Sequence, residues 1–232
     1  MRDKTTSSKW RRVVQFGIVP VSLLVLAACL GHHPRPQLVK NDKADALARQ
    51  VMHAVGDAAW RRLGRVVFTF RGQKYDWSVQ EKTVFIGEDK KRVQLDLKTG
   101  LCRSTNGANT ISKSGCEDHL SRWNNDSFWL HPFGKLFDPG TERSLCIIEE
   151  AAPPWLCIRF ATGGTTPGDL YAIELGPEGR PTAWRMWVKI IPIGGLHTAW
   201  SDWKQYPDGA WFAQTRELAL FTIPIEILSV ER

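Results

Sequence analysis

The fold is decided by Val67-Phe-Thr-Phe-Arg-Gly-Gln-Lys-Tyr-Asp-Trp-Ser-Val79, two short β-prone runs about a tight Arg-Gly-Gln link. Phe68 and Phe70 share one face, as alternation along a strand requires. The same rhythm continues in Thr83-Val-Phe-Ile and in Arg92-Val-Gln-Leu-Asp-Leu, where Val93, Leu95 and Leu97 share a face. This predicts a β-meander with one buried side. Further on, strand candidates recur at 143–149, 155–161, 169–175, 182–190, 197–204, 210–217 and 223–230. Pro/Gly-rich links such as Gly163-Gly-Thr-Thr-Pro-Gly and Pro192-Ile-Gly-Gly separate them. About eleven strands joined by short links exceed what a strongly twisted open sheet holds without curling. By parity Trp184 and Trp187, and likewise Trp200 and Trp203, fall on opposite strand faces.

Two segments depart from this rhythm. Asn41-Asp-Lys-Ala-Asp opens an amphipathic helix capped by Asn41 or Asp42. Leu47, Val51, Val55, Ala58 or Ala59, and Leu63 continue it for about five turns, and Gly64 ends it. Residues 106–141 form an insert, with a short helix over Gly115–Trp123 that puts Leu120 and Trp123 on one side. The following Asn124-Asn-Asp-Ser-Phe-Trp-Leu-His-Pro-Phe-Gly-Lys-Leu-Phe mixes turn formers with large apolar groups and reads as an irregular cover. The fold class is therefore α+β, mainly β: a curled antiparallel half-barrel with an N-terminal helix and a helical or irregular lid.

The N-terminus carries its own signal. Arg2, Lys4, Lys9, Arg11 and Arg12 precede an apolar run from Val13 to Leu26, and Leu26-Ala-Ala-Cys29 follows. A basic stretch, a short apolar stretch and small residues describe a secretory signal. A retained spanning helix would need roughly 20 apolar residues, and this run is shorter and contains Pro20. The tetrapeptide resembles the lipobox of bacterial lipoproteins, which implies removal of residues 1–28 and lipidation of Cys29. Residues 29–42 then form a lipidated tether rich in proline, and 43–232 a single domain. Leu30 rather than Asp after the cysteine implies, by the same resemblance, an outer-membrane protein; the domain is expected to face the periplasm, with surface exposure as the alternative.

Composition sets further bounds. Of 31 Lys/Arg and 24 acidic residues, five and one fall in residues 1–28, so the remaining chain has a net charge of +3 rather than +7. No basic run survives, and nucleic acid is not an expected partner. Ten of the eleven tryptophans lie beyond the signal, as packing or as the lining of an apolar cavity. Cys102, Cys116, Cys146 and Cys157 form an even set in an oxidising compartment. Pairing Cys102–Cys116 and Cys146–Cys157 joins sequence neighbours, and the second pair sits nearly symmetrically about Ala-Ala-Pro-Pro in a hairpin. Metal binding by Cys102, Cys116 and His119 is the rival, but it lacks a close pair such as C-x-x-C.

Five fragments also carry a family resemblance: Trp60 ahead of the first strand, Tyr75-Asp-Trp, Asn125-Asp-Ser-Phe-Trp-Leu, Lys135-Leu-Phe-Asp-Pro-Gly and Gly194-Gly-Leu-His-Thr-Ala-Trp-Ser-Asp-Trp-Lys. With the order of elements, they resemble the LolA/LolB-like lipoprotein-carrier superfamily. The resemblance implies an apolar cavity between sheet and lid that takes acyl chains. The anchor at Cys29 departs from that superfamily's shuttle and is closer to its anchored acceptor.

The chain carries no G-x-S-x-G, Walker loop, H-E-x-x-H or C-x-x-C. His53 reads as a surface residue and His131 as a structural one, and Asp126, Asp138 and Glu117 as turn caps rather than an acid/base pair. No catalysis and no cofactor are expected. Trp129, Leu130, Phe133 and Phe137 are the leading candidates to bind a hydrophobic, lipid-like ligand, together with Phe68 and Phe70. The competing reading is an envelope scaffold that binds a protein partner and whose core its own side chains fill.

Overall fold

The computed structural model describes residues 31–106, 110–148, 153–163, 165–206, 209–219 and 221–232, apart from the Lys90 side chain. Residues 1–28, read as a secretory signal, and Cys29, read as the lipidation site, lie outside the described residues. No helix among the described residues is long and apolar enough to cross a membrane.

All eleven expected strands form, as the meander's alternation requires, and two short ones join them. In chain order they are β1 Leu38–Val39, β2 Arg65–Phe70, β3 Gln73–Ser78, β4 Thr83–Ile86, β5 Val93–Asp96, β6 Cys102–Ser104, β7 Thr141–Cys146, β8 Trp155–Phe160, β9 Leu170–Leu175, β10 Pro181–Trp187, β11 Leu196–Gln205, β12 Trp211–Leu218 and β13 Phe221–Glu231. The count is thus thirteen rather than eleven. β1 comes from the segment read as a tether, and β6 from the end of the meander. Both are edge strands, too short to carry an alternation signal.

The strands make one antiparallel sheet in the order β1-β7-β8-β9-β10-β11-β12-β13-β2-β3-β4-β5-β6. The chain's last strand therefore pairs with its first long one, with Ile227 opposite Phe68 and Ile225 opposite Phe70. The outermost strands β1 and β6 are not neighbours, so the sheet is open.

The helices differ from their sequence reading in length. The single five-turn helix is two helices, α1 (Asp42–Ala54) and α2 (Asp57–Trp60). Asn41 caps α1, its Oδ1 accepting from the Lys43 amide at 2.6 Å. Gly56 breaks the pair at φ +70°, where a Cβ would stand 2.1 Å from the Gly209 carbonyl oxygen. Close approach of the β11–β12 turn overrides the apolar periodicity at that point. Conversely, the short helix in the insert is an 18-residue α3, Lys113–Leu130, which absorbs the first half of the segment read as irregular. Its stop at His131-Pro132 is legible, since a residue before proline avoids helical geometry. Its continuation through Asn124–Ser127 is not, because the partners of Asp126 and Asn124, Tyr75 on β3 and Thr165 in the β8–β9 turn, lie far off in the chain.

Inner-face residues form two aromatic clusters, one on each half of the sheet. Trp60, Phe68, Tyr75, Trp77 and Trp123 centre the first. Phe133, Leu156, Ile158, Trp184 and Trp200 centre the second. A third cluster of Trp155, Cys157, Leu170 and Trp187 lies on the outer face, as alternation against Leu156, Tyr171 and Trp184 requires. Both disulfides are present. Cys102–Cys116 joins β6 to α3, and Cys146–Cys157 joins β7 to β8. The second pair is diagonal rather than directly opposite, with Ser144 facing Cys157 and Trp155 facing Cys146. Disulfide bonding removes Cys102 and Cys116 as metal ligands.

Parity holds for Trp184 and Trp187, which lie on the inner and outer faces. It fails for Trp200 and Trp203, whose rings stack at 5.9 Å. Asp202 between them adopts φ +52°, which breaks the strand's alternation.

Candidate functional site

A cavity of about 1020 Å³ lies between α3 and the inner face of β8–β10. Its floor is made by strand parity. Phe160, Tyr171, Trp184 and Met186 alternate inward from β8, β9 and β10. From above, α3 adds consecutive aromatics. Phe128 meets Tyr171 at 5.0 Å and Phe160 at 5.4 Å. Trp129 meets Trp184 edge-on at 5.3 Å and stacks on Phe70 at 6.1 Å. Val188, Ile190 and Ile191 continue the apolar lining out of β10 into the following turn.

The remaining wall is polar. Tyr75 donates its hydroxyl to buried Asp126 on α3, and the Asn125 amide donates to the other carboxylate oxygen at 2.8 Å. Burial foremost, and then this carboxylate, raise the Tyr75 pKa far above its usual value, so it stays a neutral donor. Arg71 in the β2–β3 turn and Arg122 on α3 stand exposed on the same wall. Lys135 and Asp138 border another edge of the cavity, 4.0 Å apart.

One buried charge fixes Trp129. Arg216 on β12 is fully buried, and its guanidinium lies 3.6 Å over the Trp200 ring. It donates to the Trp129 carbonyl at 2.6 Å and the Ala213 carbonyl at 2.8 Å. The Trp129 carbonyl belongs to the last turn of α3, where carbonyls lack helical partners and attract cations. Burial pushes the Arg216 pKa down to about 9, which leaves it charged at neutral pH.

Of the six residues expected to bind ligand, the cavity brings together Trp129 and Phe70 only. Phe68 is stacked on Tyr75 inside the first cluster. Leu130 points into that same cluster, one residue round the helix from Trp129. Phe133 is buried against Trp200 at 5.0 Å. Phe137 lies between the guanidinium groups of Arg49 and Arg143. The insert was read as irregular, and a helix sends neighbouring side chains in different directions. The missed lining residues Phe160, Tyr171 and Trp184 carried the alternation signal, but no clue to which face was inside.

His131 lies away from the cavity, buried and stacked on Trp60 at 3.9 Å. Its Nε2 stands 3.6 Å from Asp57, outside hydrogen-bond range. Burial holds its pKa below the ordinary histidine value. Burial raises that of Asp57, but His131 and the Arg61 guanidinium, donating at 2.6 Å, outweigh it and keep the carboxylate ionised. Among the described residues no group of three or more His, Cys, Asp and Glu could hold a metal ion.

The chain matches no protein-family model and no curated protein.

Proposed function

We propose that this chain is a lipid-anchored envelope protein that holds a hydrophobic, lipid-like ligand in the cavity beneath α3, without catalysis. The observation that carries the reading is the cavity itself. Its volume reaches the upper end of the range for small-molecule sites. Aromatic and aliphatic side chains make its floor, and arginines stand on its polar wall. Such a site suits an acyl chain whose polar end stays near water. In this reading the sheet curls about α3 as a half-barrel and α3 is its lid, as in the LolA/LolB-like carriers the sequence resembles. The contacts of α3 with Phe70 on one half of the sheet and Trp184 on the other support that shape. Lipidation of Cys29 and residence in the outer membrane, facing the periplasm, belong to the same proposal.

Native mass spectrometry of the full chain, followed by lipid extraction, tests it. The expected result is a defined co-purifying lipid, retained less by Trp129→Ala and Phe128→Ala although both variants stay folded. A ligand-free mass with no uptake of added fatty acid would reject it. The alternative would then be the scaffold, with cross-linking to find its envelope protein partner.

A further inference from the structure

We infer that the rim of the sheet carrying the β2–β3, β8–β9, β10–β11 and β12–β13 turns is a membrane-docking face, which sets the cavity mouth against a bilayer. This rests on the lipid-anchor reading above and adds an orientation to it.

Antiparallel order places these turns at one end of the sheet. Phe70 pairs with Gln73, Trp187 with Leu170, Met186 with Leu196, and Leu218 with Phe221. The cavity opens at this end, where Arg71, Thr165 and Ile190 border it. Buried Asp169 links two of the turns, accepting from the Lys189 amide at 3.0 Å and from Thr166. The mouth is therefore a braced rim rather than a set of independent loops.

The N-terminal segment leaves the domain at the same rim. Although read as a free tether, it is pinned across the outer face. The His33 amide donates to the Gly194 carbonyl at 2.8 Å, and the Trp187 indole donates to the His33 carbonyl at 2.8 Å. The Gly194 amide donates to His32 Nδ1 at 3.0 Å, and Arg35 reaches the Gly168 carbonyl at 3.2 Å. The depression this segment borders shares Val188 and Ile191 with the large cavity. Cys29 precedes His32 by three residues, a reach of about 10 Å at full extension. Acyl chains on Cys29 therefore hold this rim, and not the opposite one, close to the lipid.

The surface there suits the interface. Ile190 is 69% exposed and Phe221 58% exposed. Lys189 beside Ile190, and Arg71 across the mouth, are exposed cations of the kind that anionic headgroups attract. The opposite rim exposes Leu101 and Ile147, so apolar exposure alone does not choose between the two ends. The pinned segment and the mouth do.

The test uses the full chain reconstituted in vesicles of phosphatidylcholine and phosphatidylglycerol. An environment-sensitive fluorophore is placed on Ile190→Cys, on Phe221→Cys, or on Glu178→Cys in the β9–β10 turn of the opposite rim. Lipids spin-labelled near the headgroup act as quenchers, and intact mass reports acylation of Cys29. The expected result is loss of most of the fluorescence at 190 and 221, with none lost at 178. Quenching at 190 and 221 in an unacylated chain would support the rim while removing the anchor. An acylated chain with 190 and 221 in water would overturn the rim and leave the anchor standing. Equal quenching at all three positions, or no quenching and no acylation, would also overturn it. Ligand retention is read separately by native mass, so loss of the cavity reading would not be mistaken for loss of the docking face.

Discussion

The two halves of the inner face hold similar residues and do different things with them. Around Trp123, rings from α3 and β2–β3 interlock: Phe68 stacks on Tyr75 at 5.0 Å, and Trp77 meets Trp123 at 5.2 Å. Around Phe128 the rings are as close, yet about 1020 Å³ remains beside them. The difference lies in what ties α3 down. At its N-terminal end a disulfide bonds it to β6, and further along the buried Tyr75–Asp126 hydrogen bond holds it to β3. Over β8–β10 the tie is looser: Asn124 donates to Thr165 in the β8–β9 turn at 3.4 Å. Aromatic content alone thus makes neither a core nor a site. Dense anchorage makes it a core, and sparser anchorage over β8–β10 leaves a cavity beside rings that still touch.

The largest expected effect tests the packed half. Trp123→Ala removes a buried ring from an interlocked cluster and should cost about 3–5 kcal/mol in urea unfolding. Phe128→Ala, beside open space, should cost well under half as much; equal losses would erase the distinction between the halves. Next comes the covalent tie. Replacing Cys102 and Cys116 together by serine should cost about 3 kcal/mol in the chain-entropy model. It should also raise amide exchange along α3. Replacing Cys146 and Cys157, which close a similar loop on the outer face, should leave α3 exchange unchanged. The smallest effect is on pH. Because burial keeps His131 neutral in the fold, the unfolded chain takes up a proton that the folded one does not as pH falls below about 6.5. Stability should therefore fall from pH 7 towards pH 5. A His131→Gln variant should show a flatter melting profile over that range. An unchanged slope would mean that His131 contributes nothing to it.

Much of the sheet was legible because a half-buried strand writes its alternation into the sequence. Phe68/Phe70 and Val93/Leu95/Leu97 gave the meander, and the Pro/Gly links gave the later strands. The cysteine pairing was legible because sequence neighbours close short loops. The lining of the cavity was legible only at Trp129 and Phe70. Leu130, Phe133 and Phe137 stand close to Trp129 in sequence but point elsewhere, since helical geometry and the Pro132 turn send them to other surfaces.

The sequence by itself determined a mainly antiparallel sheet, its strand order along the chain, its disulfides and the position of one capped helix. Periodicity, turn chemistry and short loop closure are local, and local physics is readable from neighbours. Only the tertiary structure decided which face of each strand is inside and where Gly56 must yield to Gly209. It also decided that α3 runs on through Asn124–Ser127, and that the N-terminal segment leaves beside the cavity mouth. Each of these depends on a contact between residues far apart in the chain, such as Arg216 with Trp129 or Trp187 with His33. No local pattern encodes such a contact.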